Sequence, residues 1–236
     1  MKKTLGMVTI LLAGTLAFGA SAKEDSVERL QSAGEVLKAI GAAPDKGIPE
    51  EVVSDAKCIV VVPHLVKAGF ILGGKHGRGV ASCRTAAGWS APAFVSVGGG
   101  SWGLQIGVES VDLVMLVMND RGLQHLLSSK FQLSGEGSAA AGPVGRHASA
   151  GTDWKLNSEI LTYSRSKGAF AGLTLEGAVI QQDDDSTRAI YDKQVGFRPT
   201  LRGDVATPGA AQPFSQALAT LSAKSSMKEA TDAAKN

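Results

Sequence analysis

The chain has 236 residues, of which 44% are hydrophobic, and its 24 basic and 22 acidic side chains leave a formal net charge of +2. This length is sufficient for one sizeable hydrophobic core. A nearly neutral chain has no global attraction to nucleic acid, so nucleic acid is not an expected partner.

The first 22 residues have the three parts of a bacterial secretory signal peptide. Lys2 and Lys3 are positively charged, residues 7–18 are apolar, and residues 20–22 form a small-residue Ala-Ser-Ala cleavage site. The apolar run is shorter than the ~20 residues of a membrane-spanning helix. We therefore expect a cleaved leader and a soluble mature protein in the periplasm or secreted, free to associate peripherally with a membrane.

One domain is predicted after the leader, over residues 23–202. Residues 203–236 are predicted to be a C-terminal extension, whose small and polar residues from Ser222 onward indicate a disordered tail.

Two helices are predicted at the start of this domain. Residues 26–40 place an apolar side chain at every third or fourth position, with Ser26 as N-cap and a largely acidic polar face. A turn over residues 44–47 separates them from a short helix over residues 49–55, where Pro49 occupies the first turn.

Short strands separated by glycine turns follow, a pattern that indicates antiparallel pairing. A β-branched run over residues 58–62 ends at Pro63. Further strands are predicted over residues 70–72 and 79–84, with a turn over residues 73–77 between them.

Residues 90–118 are predicted to form the centre of the sheet. Glycines 98–100 are interpreted as a tight link between two core strands, after which residues 102–109 alternate between apolar and other residues. Residues 113–118 are apolar throughout, as in a strand buried on both faces. The alternation changes at Ser110, which predicts a bulge or break near this residue.

The second half adds a helix and three β segments. Asn119 is predicted to cap a helix over residues 121–129, and residues 183–185, three aspartates, are predicted to form a solvated turn. The β segments are residues 131–139, 160–166 and 168–181. The predicted fold class is therefore α+β: a curved, largely antiparallel sheet, barrel-like or sandwich, of about eight or nine strands with flanking helices.

Cys58 and Cys83 are the only cysteines. An even count in an exported protein favours a disulfide. The alternative is two buried free thiols, and the sequence leaves both open.

One glycine pattern resembles a nucleotide-binding loop. Gly98, Gly100 and Gly103 fit G-x-G-x-x-G, with Asp120 downstream. A dinucleotide site requires a helix after the glycines, whereas the residues that follow have the period of a strand. No nucleotide is therefore expected, and no cofactor of any kind is predicted.

Catalytic patterns are equally weak. Residues 164–167 match S-x-x-K, in which a lysine activates a serine one helical turn away, but they lie in strand-like sequence and residues 225–228 repeat the pattern. The four histidines lack metal-ligand spacing: His64, His76, His125 and His147. We predict a protein that is not an enzyme and has no metal site, with a serine hydrolase using Ser164 and Lys167 as the weakest alternative.

Four segments carry a resemblance to a known family. They are AKCIVVVPHLVKAGFILGGKHGRGV, SAPAFVSVGGGSWGLQIGVESVDLVMLVMN, AAAGPVGR and YSRSKGAFAGLTLEGAVI, in this order within residues 56–180. The chain resembles the SYLF domain family of lipid-binding modules, called actin regulators in fungi. The resemblance implies a non-enzymatic domain that binds phospholipids, including phosphoinositides in eukaryotic members.

Basic residues mark the surface on which such binding is expected. Residues 57–88 contain five basic and no acidic side chains. Four of them, and a second pair in Y-S-R-S-K-G, are candidates to contact the phosphates of anionic lipids at a membrane surface: Lys67, Lys75, Arg78 and Arg84, then Arg165 and Lys167. The alternative is that these are ordinary charges at strand ends and turns.

The main functional hypothesis is thus a non-catalytic phospholipid-binding module of the bacterial envelope. A second is an envelope structural or protein-interaction module, because exposed glycine-rich edges can add strands to a partner. Actin is not an expected partner, because an exported bacterial protein would not normally meet it.

Overall fold

A single curled β-sheet with helices packed on both of its faces forms the domain. The structure, a computed structural model, describes residues 6–42, 47–70, 72–102, 107–133, 139–145, 158–173, 175 and 177–233. The predicted α+β class is confirmed, with ten strands among the described residues.

The helices and strands are as follows. The helices are α1 (Gly6–Ala42), α2 (Glu50–Asp55), α3 (Asp120–Leu126), α4 (Asp184–Tyr191), α5 (Phe197–Arg202) and α6 (Gln212–Ala233). The strands are β1 (Cys58–Phe70), β2 (Leu72–Thr85), β3 (Gly88–Trp89), β4 (Ala93–Trp102), β5 (Gly107–Val117), β6 (Lys130–Gln132), β7 (Ala139–Ala141), β8 (Ile160–Ser166), β9 (Ala169–Gly172) and β10 (Val179–Gln182).

The strand order is β6-β10-β4-β2-β1-β5-β8-β7, with β3 paired to β2 and β9 paired to β8. Every pair is antiparallel except β7 with β8. The four longest strands, β4, β2, β1 and β5, are neighbours at the centre of the sheet.

Strand side chains alternate between two apolar clusters. On one face, here called the α1 face, Ile59, Val61, Val80 and Phe94 pack with Leu30 and Leu37 of α1 and with Phe214 of α6. On the opposite face, here called the α3 face, Val60, Val62 and Met115 pack with Leu126 of α3 and Phe197 of α5. Full burial of each such side chain stabilises the fold by roughly 1.5–3 kcal/mol. The predicted two-sided burial of β5 is confirmed, since Leu113 to Val117 are all buried.

Strand β1 contains a bulge at Pro63 and His64. Strand β1 continues through Pro63, and the two residues Pro63 and His64 lie opposite the single residue Asp112, because Val62 pairs with Leu113 and Leu65 with Val111. Proline is tolerated in a bulge because the ladder does not require its N–H there, and His64 adopts a positive φ of 53°. The predicted strand end at Pro63 is therefore wrong. The bulge or break predicted near Ser110 corresponds to this bulge, which lies in β1 opposite Asp112, while β5 itself continues.

Glycines lie under this bulge rather than in a turn. Residues 73–77 belong to β2, and the β1–β2 hairpin reverses between Phe70 and Leu72. A Cβ at Gly79 would overlap the carbonyl oxygen of Val61. These glycines let β1 approach β2 closely. Residues 98–100 likewise lie inside β4, paired with residues 74–76 of β2, so they do not link two strands.

Helix α1 differs from its prediction at its start. It begins at Gly6 and runs through the predicted cleavage site without interruption. Ser26 is buried inside the helix, where its hydroxyl donates to the Ala22 carbonyl oxygen at 2.7 Å, so it is not an N-cap. Among the described residues, no helix is both long and apolar enough to cross a membrane.

Two predicted short helices are confirmed. Helix α2 begins after Pro49, and α3 has Asn119 as N-cap, with its side chain accepting from the Gly122 amide at 3.0 Å. The aspartates at 183–185 do not form a solvated turn. Asp183 is buried and caps α4, accepting from the Ser186 amide at 3.1 Å.

Helix α6 replaces the predicted disordered tail. It continues to Ala233, and Phe214, Leu218 and Leu221 are buried in the same cluster as α1. A Cβ at Gly34 of α1 would lie 3.3 Å from the Pro213 carbonyl oxygen, which shows how closely the two helices pack. Helix α6 is thus part of the core.

Candidate functional site

The central strands extend beyond the rest of the sheet and form a four-stranded arm, defined as residues 66–70, 72–76, 98–102 and 107–110. Strand β10 pairs with β4 only as far as Gly98, and β8 pairs with β5 only as far as Asp112. Beyond these residues the outer edges of β4 and β5 have no strand partner among the described residues. None of the arm side chains that the structure describes is buried.

Two of the predicted lipid-binding residues meet on this arm. Lys67 of β1 and Lys75 of β2 are register partners, and Glu109 of β5 lies opposite Lys67 on its other side. All three lie on the α3 face, because side chains two residues apart in a strand share a face and Leu65 and Val111 belong to the α3-face cluster. Like charges directly opposite each other are unfavourable in a sheet, and Glu109 offsets part of this repulsion.

Arg78 lies on the opposite face. Two residues from Val80 in β2, it shares the α1 face and approaches the Asp183 carboxylate, with Nε 3.7 Å from Oδ2. The same carboxylate oxygen is 3.3 Å from Nη1 of Arg29, and Ser186 donates to it at 2.8 Å. Burial is the main cause that lowers the pKa of Arg29, and the nearby Arg78 lowers it further. Half of the Arg78 side chain remains exposed, but its guanidinium pairs with Asp183, so Arg78 is only partly available to a ligand.

Arg84 is held by the protein itself. Its Nε donates to the Ala56 carbonyl oxygen at 2.9 Å and its Nη2 to that of Val53 at 3.2 Å. Its Nη1 donates to the Ser222 hydroxyl at 3.0 Å, and the guanidinium carbon lies 4.5 Å from the ring centroid of Trp89. Partial burial lowers the pKa of Arg84. This arginine joins β2 to α2 and α6 instead of projecting toward a ligand.

Arg165 is also paired. Its Nε lies 3.0 Å from Oδ2 of Asp112, and the backbone amide of His64 donates to the other oxygen of that carboxylate at 3.2 Å. The pair therefore fixes the β1 bulge against β5 and β8. Lys167 is exposed in the β8–β9 turn, at a φ of 49°. Ser164, three residues before it, lies in a strand, so the S-x-x-K residues do not share a helical turn.

The six candidates thus occupy separate places. Lys67 and Lys75 come together, Arg78 lies on the opposite face, Arg84 and Arg165 have structural partners, and Lys167 lies in a separate turn. Cys58 and Cys83 are register partners in β1 and β2 and form a disulfide. Their side chains belong to the α3-face cluster, so the bond is part of the core beneath the bulge.

One polar cluster has no counterpart in the sequence analysis. The Glu159 side chain, 10% exposed, lies 3.1 Å from Nδ1 of His125 and 3.7 Å from Nη1 of Arg121. The interaction joins α3 to the start of β8, and nothing in the spacing of these residues could have predicted it. Among the described residues, no group of three or more His, Cys, Asp or Glu side chains is placed to hold a metal ion.

Comparison with known proteins shows the family of this chain. Residues 98–221 match the family model Ysc84, described as "Las17-binding protein actin regulator". This match covers more than half of the chain, and the chain belongs to the Ysc84, or SYLF domain, family.

Curated relatives include three from fungi and human. The chain is 37% identical to an SH3 domain-containing protein of Schizosaccharomyces pombe, 33% to protein YSC84 of Saccharomyces cerevisiae and 32% to human SH3 domain-containing YSC84-like protein 1. Each alignment covers 72% of this chain but only 40%, 37% and 50% of the relative. The chain therefore spans half or less of these proteins. The printed names of the Schizosaccharomyces pombe and human relatives refer to SH3 domains, and none of the three names refers to an enzyme activity.

Proposed function

We propose that this protein is a non-catalytic phospholipid-binding module that docks on an anionic membrane surface through its arm. The observation that carries the proposal is the register pair of Lys67 and Lys75 on an arm that no helix covers in the described part of the chain. Family membership supports it. Of the six residues that the sequence predicts to bind lipid, we assign head-group binding to these two lysines, with Arg78 as an auxiliary cation.

The proposed location is the bacterial envelope, after removal of the leader. Two features support an oxidising compartment outside the cytoplasm: the signal-peptide pattern of residues 1–22 and the Cys58–Cys83 disulfide. The family description names actin regulation. We do not transfer that activity to this protein, because an exported protein would not meet actin.

Electrostatic attraction to an anionic surface contributes about 1 kcal/mol per lysine. Neutralising Lys67 and Lys75 should therefore weaken binding by about 2 kcal/mol, or roughly 30-fold, and the double charge reversal Lys67→Glu/Lys75→Glu should weaken it at least as much. Raised salt should weaken binding of the unchanged protein, because it screens exposed charges.

Vesicle flotation tests this. The mature protein is mixed with phosphatidylglycerol vesicles or with phosphatidylcholine vesicles, at low and at high salt. The matched control is Lys193→Glu/Arg198→Glu, which changes the net charge equally at exposed residues outside the arm. Binding of the unchanged protein to the anionic vesicles and a loss confined to the arm variant are expected. Equal loss in both variants would show that only net charge matters, and absence of flotation would refute the function.

A second candidate function follows from the open edge of β5. Residues 107–110 have a strand partner, β1, on one side only among the described residues. Such an edge can accept a strand from a protein partner. Capture of a partner from envelope extract with no dependence on lipid, abolished by Glu109→Pro and retained in Lys67→Glu/Lys75→Glu, would favour this function over lipid binding.

A further inference from the structure

The end of the arm has an unusual composition. Phe70 of β1, Leu72 of β2 and Trp102 of β4 are consecutive register partners at this end, Phe70 with Leu72 and Leu72 with Trp102. Neighbouring strands are ~4.8 Å apart, so three large apolar residues lie on three adjacent strands within about 10 Å. Hairpin ends exposed to water usually carry glycine, asparagine, aspartate or serine instead.

The arm is also uncharged from this end back to the lysine pair. Residues 68–70, 72–74, 100–102 and 107–108 contain no acidic or basic side chain. Val108, on the α1 face of the sheet, is 78% exposed. Lys67 and Lys75 lie three residues behind Phe70 and Leu72, which corresponds to about 10 Å along a strand.

We propose that the uncharged end of the arm inserts shallowly into the lipid leaflet, with Lys67 and Lys75 at the level of the phosphates. The head-group region of a leaflet is roughly 5–8 Å thick. The ~10 Å between the apolar end and the lysine pair therefore suffices for the end to reach the boundary of the hydrocarbon while both ammonium groups stay with the head groups. Tryptophan and tyrosine are the residue types enriched at this boundary.

The open edges of the arm limit the depth of insertion. Beyond Gly98 in β4 and beyond Asp112 in β5, the outer backbone groups have no strand partner among the described residues. Unpaired backbone N–H and C=O groups cannot enter hydrocarbon without a large penalty. The arm therefore contacts the interfacial layer and does not span it.

Because this inference rests on the proposed lipid function, its test must separate insertion from binding. Trp102 serves as the probe in a Trp89→Phe/Trp154→Phe variant of the mature protein. The control retains Trp89 alone, through Trp102→Phe/Trp154→Phe, because Trp89 packs against Arg84 far along β2 from the arm. Both proteins are mixed with phosphatidylglycerol vesicles, with and without lipids brominated near the head group.

We expect the emission of Trp102 to shift to shorter wavelength and to be quenched by the brominated lipid, while Trp89 changes in neither respect. Flotation without any change at Trp102 would overturn insertion and leave surface binding in place. No flotation at all would overturn both. Quenching of both tryptophans equally would also refute an arm-specific contact.

A second variant keeps the inference testable should the tryptophan variants misfold. Val108→Asp places a charge at the exposed end of the arm, and Val144→Asp places one at another exposed valine, 43% exposed, outside the arm. Val108→Asp is expected to reduce vesicle binding at least tenfold and Val144→Asp to leave it unchanged. Equal binding by the two variants would overturn the inference.

Discussion

Replacing Arg84 separates a structural role from a lipid-binding role. Its guanidinium makes two partly buried hydrogen bonds, to the carbonyl oxygens of Val53 and Ala56, and one exposed bond to Ser222. Each of the first two stabilises the fold by about 1 kcal/mol, the exposed bond by less, and the stacking on Trp89 by about 0.5–1 kcal/mol. Arg84→Met should therefore cost about 3 kcal/mol of unfolding free energy.

In a protein of this size, such a loss lowers Tm by about 10 °C. Arg84→Lys keeps the charge but cannot reproduce the forked donors, so it should recover less than half of the lost stability. Arg198→Met, at an exposed position of α5, should change stability by less than about 0.5 kcal/mol. Calorimetry and urea unfolding measure these differences.

Vesicle flotation of the same variants, at a temperature where all are folded, completes the experiment. Arg84→Met should bind phosphatidylglycerol vesicles as the unchanged protein does. The reason is that the guanidinium of Arg84 faces the Val53 and Ala56 carbonyls and not the arm. Unchanged stability together with lost binding would refute the structural assignment and restore Arg84 as a lipid ligand.

Three further substitutions test the fold. Replacing Cys58 and Cys83 by alanine releases a cross-link between residues 25 apart and should cost about 3.5 kcal/mol in urea unfolding; two titratable thiols in the denatured, unreduced protein would contradict the bond. Gly79→Ala should lower the free energy of unfolding by more than 2 kcal/mol, because its Cβ would overlap a β1 carbonyl oxygen. Gly98→Ala should not, because the nearest atom to its Cβ would be 3.9 Å away. Burial raises the pKa of Tyr191, so its hydroxyl contributes stability that is complete below pH ~10 and is lost as pH rises toward the folded-state pKa. Tyr191→Phe should reduce this alkaline loss, measured by Tm against pH; an unchanged slope would contradict the assignment.

Hydrophobic periodicity predicted the sheet well where local sequence and tertiary packing agree. The apolar run of β5 is buried on both faces because helices cover both. The predictions that failed share one cause. Pro63 predicts the end of a strand and the glycines of residues 73–77 predict a turn, although a bulge in one strand and glycines in its neighbour fit each other. Neither strand alone contains that information.

The same limit applies to helix α6 and to the basic residues. Helix α6 is stabilised by packing on α1, residues far away in the sequence. Lys75 and Arg84 are both cations of β2, and only the fold shows that carbonyl groups 28 and 31 residues distant bind Arg84. Cation content could therefore predict a candidate surface, but it could not show that Arg84 holds the fold together.

The arm contributes little to the stability of the fold and is prone to pair with other chains. Its described side chains are not buried, so it adds little hydrophobic stabilisation. Its outer edges have no strand partner among the described residues, and such edges favour unwanted pairing with other chains. Natural sheets usually protect such edges with charges, yet the last rows of this arm have none. A membrane interface would supply both the missing hydrophobic stabilisation and the missing edge protection. It buries apolar side chains and keeps the edges away from other strands. A strand-adding protein partner would cover one edge of the arm and not its uncharged end, and for this reason lipid is the occupant that we propose.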